Sequence, residues 1–270
     1  MINRISIFIF ICLSFASNSW AQNNKKDDKN AKADSKDIYG GLKFRNIGPA
    51  LMSGRISDIV IHPNNENIWY ISAGSGGVWK TQNAGTTWEP LFDGQKSYSI
   101  GCISLDPQNP EIVWVGTGEN VGGRHISYGD GVYKSEDGGK SWKNMGLKKS
   151  EHLSKIIIHP SNSNVIWVAS QGPLWSKGGE RGVYKSVDGG KTWKLTLGDD
   201  SWVGATDMLI DPRNPNLLYA ATWQRQRTVA GYLGGGPGTA VYKSNDGGES
   251  WKKLTNGLPS SNMGKVGLAL

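Results

Sequence analysis

Apolar residues recur along this chain in short alternating runs, each closed by a turn marker. Ile68 to Ser72, Ile112 to Gly116, Val165 to Ser170 and Leu217 to Thr222 hold such runs, with the period of half-buried strands rather than of helices. Before each run stands His-Pro or Asp-Pro, at His62-Pro63, Asp106-Pro107, His159-Pro160 and Asp211-Pro212, where proline stops sheet pairing and ends a preceding strand. After each run comes a segment of the Gly-Val-Tyr-Lys-Ser type and then a tryptophan that opens a fourth strand. Gly77 to Trp88, Gly131 to Trp142, Gly182 to Trp193 and Ala240 to Trp251 overlay without gaps, their closing tryptophans about 50 residues apart. That period predicts an all-β fold, a β-propeller of four-stranded blades over residues 41–270, with about four blades and the start of a fifth.

Between the third and fourth strands the chain writes Ser-x-Asp-x-Gly-x-Ser/Thr-Trp, as Ser135-Asp137-Gly139-Ser141-Trp142, Ser186-Asp188-Gly190-Thr192-Trp193 and Ser244-Asp246-Gly248-Ser250-Trp251. This pattern is the Asp-box, or bacterial neuraminidase repeat. Its residue types suit a hairpin turn: the carboxylate accepts backbone N–H groups, glycine takes a positive φ, and the indole buries a large ring. In the first copy Asn83 replaces the aspartate, so that turn keeps an acceptor and loses the charge. Asn83, Asp137, Asp188 and Asp246 are therefore expected to be structural.

The amino terminus changes the picture of where the protein works. Arg4, an apolar run from Ile5 to Phe15 and the small residues of Ser19-Trp20-Ala21 read as an export signal peptide over residues 1–21, cleaved after Ala21. No later segment is apolar enough to span a bilayer, and the expected location is extracytoplasmic. From Asn23 to Asp37 the chain is Lys, Asp, Asn, Ala and Ser, and residues 22–40 read as a disordered spacer. Only Cys102 follows the expected cleavage site, so no internal disulfide forms. The net charge of +7 is spread over the spacer and over repeat lysines, which fits a solvated surface rather than a nucleic-acid groove.

Strand order puts the Asp-box turns on one face and the second-to-third loops on the other. Those loops, Gly116 to Asp130, Gln171 to Arg181 and Trp223 to Thr239, are long enough to carry function on a rigid scaffold. They offer Arg124, Tyr128, Trp175, Arg181, Trp223 and Arg225 as ligand-binding groups, the equipment for gripping a peptide, protein or glycan. Glu119, Asp130 and Glu180 are the weak catalytic candidates. Fourth-to-first connections add Glu151, His152, Asp199 and Asp200. The same side chains could equally tie long loops together. Metal-ligand spacings, nucleophile elbows and phosphate loops are absent from the sequence, so no metal or cofactor is expected.

From Leu42 onward the chain resembles the bacterial secreted form of the sortilin/VPS10-like family. The resemblance rests on Phe44-Arg45-Asn46-Ile47-Gly48-Pro49, Met52-Ser53-Gly54-Arg55-Ile56, Gly116-Thr117-Gly118-Glu119-Asn120, Gly129 to Ser135 and Gly178-Gly179-Glu180-Arg181-Gly182. It implies a multi-bladed propeller that binds ligands; members are often labelled glycosyl hydrolases. Two departures from the Asp-box enzymes count against catalysis. Arg45 matches the sialidase amino-terminal motif only loosely, and Ser75 stands where xyloglucanase-like enzymes carry a catalytic aspartate. Serine cannot replace the carboxyl that glycoside hydrolysis uses. The leading expectation is a binding module; the alternative is a glycoside hydrolase with carboxylates partly outside this chain. Lys43 to Gly48 reads as a fourth strand without its own blade and Lys265 to Leu270 as a first strand, so an incomplete ring with exposed sheet edges is expected, completed by further blades.

Overall fold

The computed structural model describes residues 54–198 and 202–270. The expected leader, the spacer, the strand at Lys43 to Gly48, and Asp199 and Asp200 lie outside the described residues.

The predicted repeat folds as four antiparallel four-stranded blades. The first holds β1 (Ile56–Ile61), β2 (Trp69–Ala73), β3 (Gly77–Thr81) and β4 (Glu89–Pro90). The second holds β5 (Ile100–Leu105), β6 (Val113–Thr117), β7 (Val132–Ser135) and β8 (Lys143–Asn144). The third holds β9 (Leu153–His159), β10 (Asn162–Ser170), β11 (Gly182–Ser186) and β12 (Lys194–Leu197). In the fourth, β13 (Val203–Asp211) and β14 (Asn214–Gln224) are followed by a small hairpin, β15 (Gln226–Arg227) and β16 (Tyr232–Leu233), before β17 (Val241–Ser244) and β18 (Lys252–Leu254) complete the blade.

Each blade is one sheet thick, so its apolar residues are buried in the seams between neighbours. The first seam packs Tyr70, Val78 and Phe92 against Ile103, Val115 and Tyr133. The second joins Cys102, Trp114 and Val132 to Leu153, Ile156 and Val168. The third joins Trp167, Ala169 and Val183 to Ala205, Met208 and Leu218. The repeat tryptophans latch these seams: Trp142 Nε1 donates to Leu91 O and Trp193 Nε1 to Met145 O, both at 2.8 Å, and Trp251 Nε1 to Thr196 Oγ1 at 3.2 Å. In every case the acceptor lies on or beside the outer strand of the preceding blade.

Repeat lysines have a scaffold role too. Lys80, Lys134, Lys185 and Lys243 sit directly across the ladder from Tyr70, Trp114, Trp167 and Tyr219. Each ammonium rests over its partner's ring, at 4.9, 5.5, 5.7 and 5.8 Å from the centroid, a cation–π contact repeated once per blade. These positions account for part of the positive charge without any polyanionic partner.

The repeat turns behave as their residue types predict. Asp188 Oδ1 accepts Thr192 N at 2.9 Å and the Ser186 hydroxyl at 2.8 Å, and its Oδ2 accepts the Thr192 hydroxyl at 2.6 Å; Asp137 and Asp246 repeat the pattern. Asn83 Oδ1 still accepts Thr87 N at 2.8 Å, while its amide now donates to Thr87 Oγ1. Each turn is also sewn to the first-to-second turn or the start of the second strand of its own blade, through Ala84 N to Asn67 O, Gly138 N to Glu111 O, Gly189 N to Asn164 O and Gly247 N to Asn216 O. Since Tyr70 Oη and Trp167 Nε1 also donate to the turns of neighbouring blades, at Gly138 O and Gly247 O, one face of the arc is committed to holding blades together.

Two features concern the ends of the described arc. On β1, Ile56, Ile59 and Ile61 are 61%, 50% and 51% exposed, whereas their counterparts Ile100, Ile103, Leu153 and Ile156 are buried in seams. Lys265 to Leu270 forms no ladder, yet Leu268 N donates to Asp207 Oδ2 at 2.9 Å just as Ile103 N donates to Asp58 Oδ2 at 3.2 Å. The expected first strand therefore lies beside β13 as β5 lies beside β1.

Hydrogen bonds from Thr192 hold the Asp188 carboxyl down at about 2, against 3.8 ordinarily. A depressed carboxyl stabilises the fold above its unfolded value and ceases to do so as pH falls through the folded one. Asp188→Ala is expected to lower the thermal midpoint at neutral pH, with the deficit shrinking between pH 3.8 and about 2. Differential scanning calorimetry across that range checks it.

Candidate functional site

The innermost strands surround a cavity of about 450 Å³ lined by Arg55, Glu119, Asn120, Lys155, Asp207 and Lys265, among others. Each of these strands carries a β-bulge near its start, skipping Ser57, Gly101, Ser154 and Thr206. All four skipped residues line the cavity, because a bulge re-aims side chains that strict alternation would turn into a seam. The mouth repeats from blade to blade as well: Gly74 N donates to Arg55 O, Gly118 N to Ser99 O, Gln171 N to His152 O and Arg225 N to Trp202 O, at 2.6 to 3.3 Å.

Glu119 is buried at this mouth. Arg55 Nε donates to its Oε1 at 2.6 Å and Arg55 Nη2 pairs with its Oε2, a bidentate ion pair bridging the first two blades. Gly74 is required here, since a Cβ would fall 2.6 Å from the Glu119 carboxyl carbon. Asn120 Nδ2 reaches across to Thr206 Oγ1 at 2.9 Å, and Lys265 Nζ donates to Asn120 O at 2.9 Å. Asp130 accepts the Tyr133 hydroxyl at 2.8 Å. Glu180 Oε2 accepts Lys149 N at 2.7 Å. All three weak catalytic candidates thus have structural partners, and each draws on a different set of neighbours.

The arginines are equally committed. Arg181, buried, donates to Gly178 O, Gln171 O and Ser176 O at 2.7 Å each, and also to Pro173 O. Arg225, buried, donates to Val121 O at 2.5 Å and Gly172 O at 3.3 Å. Arg227 Nε donates to Gly122 O at 2.8 Å and Arg124 Nη2 to Val229 O at 2.9 Å. Trp223 is buried beneath Arg225 and Lys265 and donates to Gly234 O at 3.0 Å. Together these bonds lay the β15–β16 hairpin of the fourth blade across the loops of the second and third. Arg181, Trp223 and Arg225, expected to meet a ligand directly, are enclosed by the loops they brace. Tyr128 and Trp175 are 64% and 41% exposed, and the hairpin adds Tyr232 at 42%.

Two neighbouring residues stand out that the sequence offered only as loop members. His152 is fully buried, and neither ring nitrogen has a hydrogen-bond partner. Burial, with the nearby Arg225 and Arg181 charges adding to it, pushes its imidazole from 6.5 down to about 3. Glu151, half-buried, has a positive φ of 55°, and burial raises its carboxyl against the pull of Arg181 and Arg225. Neither property leaves a local signature: both depend on which loops close over residues 150–152. Among the described residues, no group of three His, Cys, Asp or Glu side chains is placed to hold a metal ion.

A family model described as sortilin, neurotensin receptor 3, matches residues 130–265. The chain belongs to the Sortilin-Vps10 family. This Sortilin-Vps10 chain is also 23% identical over 243 residues to an oligoxyloglucan-reducing end-specific xyloglucanase of Emericella nidulans, an alignment covering 83% of the chain and 26% of the relative. It is 23% identical over 192 residues to a xyloglucanase of Hypocrea jecorina, covering 66% and 22%. Among solved structures, a GH74 enzyme of Niastella koreensis superposes with a TM-score of 0.55 at 24% identity, over 72% of this chain and 28% of that one. An ancestral GH74 enzyme superposes at 0.59 with 21% identity, over 77% and 26%. These likenesses establish the propeller fold; the chain spans about a quarter of the length of the curated relatives it matches.

His152 gives the Sortilin-Vps10 chain a measurable acid sensitivity. Its folded imidazole sits below its unfolded value, so the unfolded chain takes up the proton first and stability falls as pH drops from 6.5 toward about 3. The slope expected from this one group is about 1.4 kcal/mol per pH unit. Urea denaturation between those limits should show His152→Gln with a correspondingly shallower dependence; an identical slope would remove His152 from the account.

Proposed function

We propose that this chain is part of an extracytoplasmic propeller that binds a glycan on its loop-bearing face. The observation that carries the reading is how that face divides its polar and aromatic groups. Arg124, Arg181, Arg225 and Arg227 donate to backbone carbonyls of neighbouring loops, while Tyr128, Trp175 and Tyr232 stay exposed. Arginines already donating to carbonyls are poor grips for an acidic peptide, whereas exposed aromatic rings on a braced surface suit the apolar face of a sugar ring. The xyloglucanases among the matched relatives favour a β-glucan such as xyloglucan as the ligand class, and the export signal read at residues 1–21 supports the location.

A second reading, glycoside hydrolysis, is favoured by the same relatives. Against it stand Ser75 at the position where xyloglucanase-like enzymes carry an aspartate, and the structural partners of Glu119, Asp130 and Glu180. Glycoside hydrolysis needs a pair of carboxyl groups flanking the scissile bond, and each of these three already accepts a structural hydrogen bond.

Calorimetric titration with xyloglucan oligosaccharides, sialosides and an acidic peptide tests both readings. Trp175→Ala and Tyr128→Ala are each expected to weaken oligosaccharide binding by about tenfold or more, with Asp188→Ala binding as wild type well below its melting temperature. Release of reducing sugar that disappears in Glu119→Gln or Glu180→Gln would replace the binding reading with the hydrolase. Binding of the peptide alone would remove the glycan.

A further inference from the structure

The connection into the third blade departs from its repeat. In the second blade the corresponding position is Tyr98, whose hydroxyl bonds the Ser127 hydroxyl at 2.9 Å, and whose backbone is not among the positive-φ positions. In the third blade the position is Glu151, at φ 55°. His152 N donates to Ser150 O at 2.6 Å, closing a tight three-residue turn around Glu151, a strained conformation for a residue with a Cβ. Tertiary contacts hold the turn in place: Glu151 O accepts Gly129 N at 2.7 Å and packs on Gly118, where a Cβ would come within 1.7 Å of that oxygen. Among the described residues, no hydrogen-bond donor reaches the Glu151 carboxylate, and the two arginines beside it, Arg181 and Arg225, donate to backbone carbonyls of the loops.

We infer that Glu151 is a ligand-contacting carboxyl, held by a strained turn on the loop-bearing face so that its oxygens accept hydrogen bonds from saccharide hydroxyl groups. The inference rests on the glycan reading above. Strained backbone persists where surrounding structure over-determines it, and such positions concentrate at functional sites. A half-buried carboxyl that no protein donor reaches among the described residues keeps its oxygens available to the hydroxyl groups of a neutral ligand. Its ionisation behaviour agrees, since burial raises the Glu151 carboxyl and the flanking arginine charges restrain the rise. Arg181 and Arg225 would act as positioning residues, keeping the carboxyl charged while their own donors hold the loops.

The test compares wild type, Glu151→Gln and Glu151→Asn by calorimetric titration with xyloglucan oligosaccharides and by thermal unfolding without ligand. Both variants should raise Kd about tenfold, the loss expected for a charge-assisted bond. The asparagine variant should unfold at the wild-type temperature or above, since asparagine enters the left-handed region more readily than glutamate. Unchanged Kd in both variants overturns the inference while leaving the glycan reading intact if Trp175→Ala still weakens binding. A fall in the thermal midpoint of both variants overturns it differently, by making the carboxyl part of the scaffold. No saccharide binding by wild type defeats the glycan reading, and the Glu151 contact with it.

Discussion

A blade one sheet thick cannot bury its own side chains, and the seams between neighbouring blades therefore hold the core of the described residues. Everything regular about the sequence serves that seam. Trp142, Trp193 and Trp251 each cross to the preceding blade. Trp167 Nε1 reaches forward to Gly247 O at 3.0 Å, and its ring lies so close to Gly248 that a Cβ there would approach within 2.7 Å. The forward and backward contacts make the inner blades both key and lock, which is how a period of about 50 residues becomes a rigid arc.

Rigidity on one face leaves the other free to diverge. The turns at Asn83, Asp137, Asp188 and Asp246 are nearly superimposable in their hydrogen bonds, whereas no two second-to-third loops are built alike. The first blade spans that gap with Gly74, Ser75 and Gly76; the fourth inserts a hairpin that reaches two blades away through Arg225 and Arg227. Loop length thus sets the chemistry of the cavity mouth, closing it over His152 and leaving aromatic rings outermost.

The blades, strand order and turn bonds were legible in the sequence because each depends on residues close together in the chain: alternation, a proline, a glycine two positions past an aspartate. The division of the molecule into a bonding face and a loop face followed from strand order alone. Side-chain fate in the loops was not legible. Arg181 and Arg225 read as ligand grips or as struts with equal ease; the folding of its own loop decides for Arg181, and contacts to Val121 and Gly172 in two other blades decide for Arg225. The strained backbone of Glu151, named from the sequence only as a loop residue, was not legible for the same reason, since its carbonyl is held by Gly129 from the preceding blade's loop. The ion pair of Glu119 with Arg55 joins residues 64 apart in sequence, and aligning the mouth positions of successive blades was the one signal that could have paired them.

Hydrogen–deuterium exchange with and without xyloglucan oligosaccharides tests most directly the claim that one face holds the arc together and the other meets the ligand. The account predicts ligand-dependent protection confined to residues 118–130, 149–152, 171–181 and 224–239, with unchanged exchange at the repeat turns 81–88, 135–142, 186–193 and 244–251. Protection concentrated in those turns, with the four loop segments exchanging as before, would contradict it.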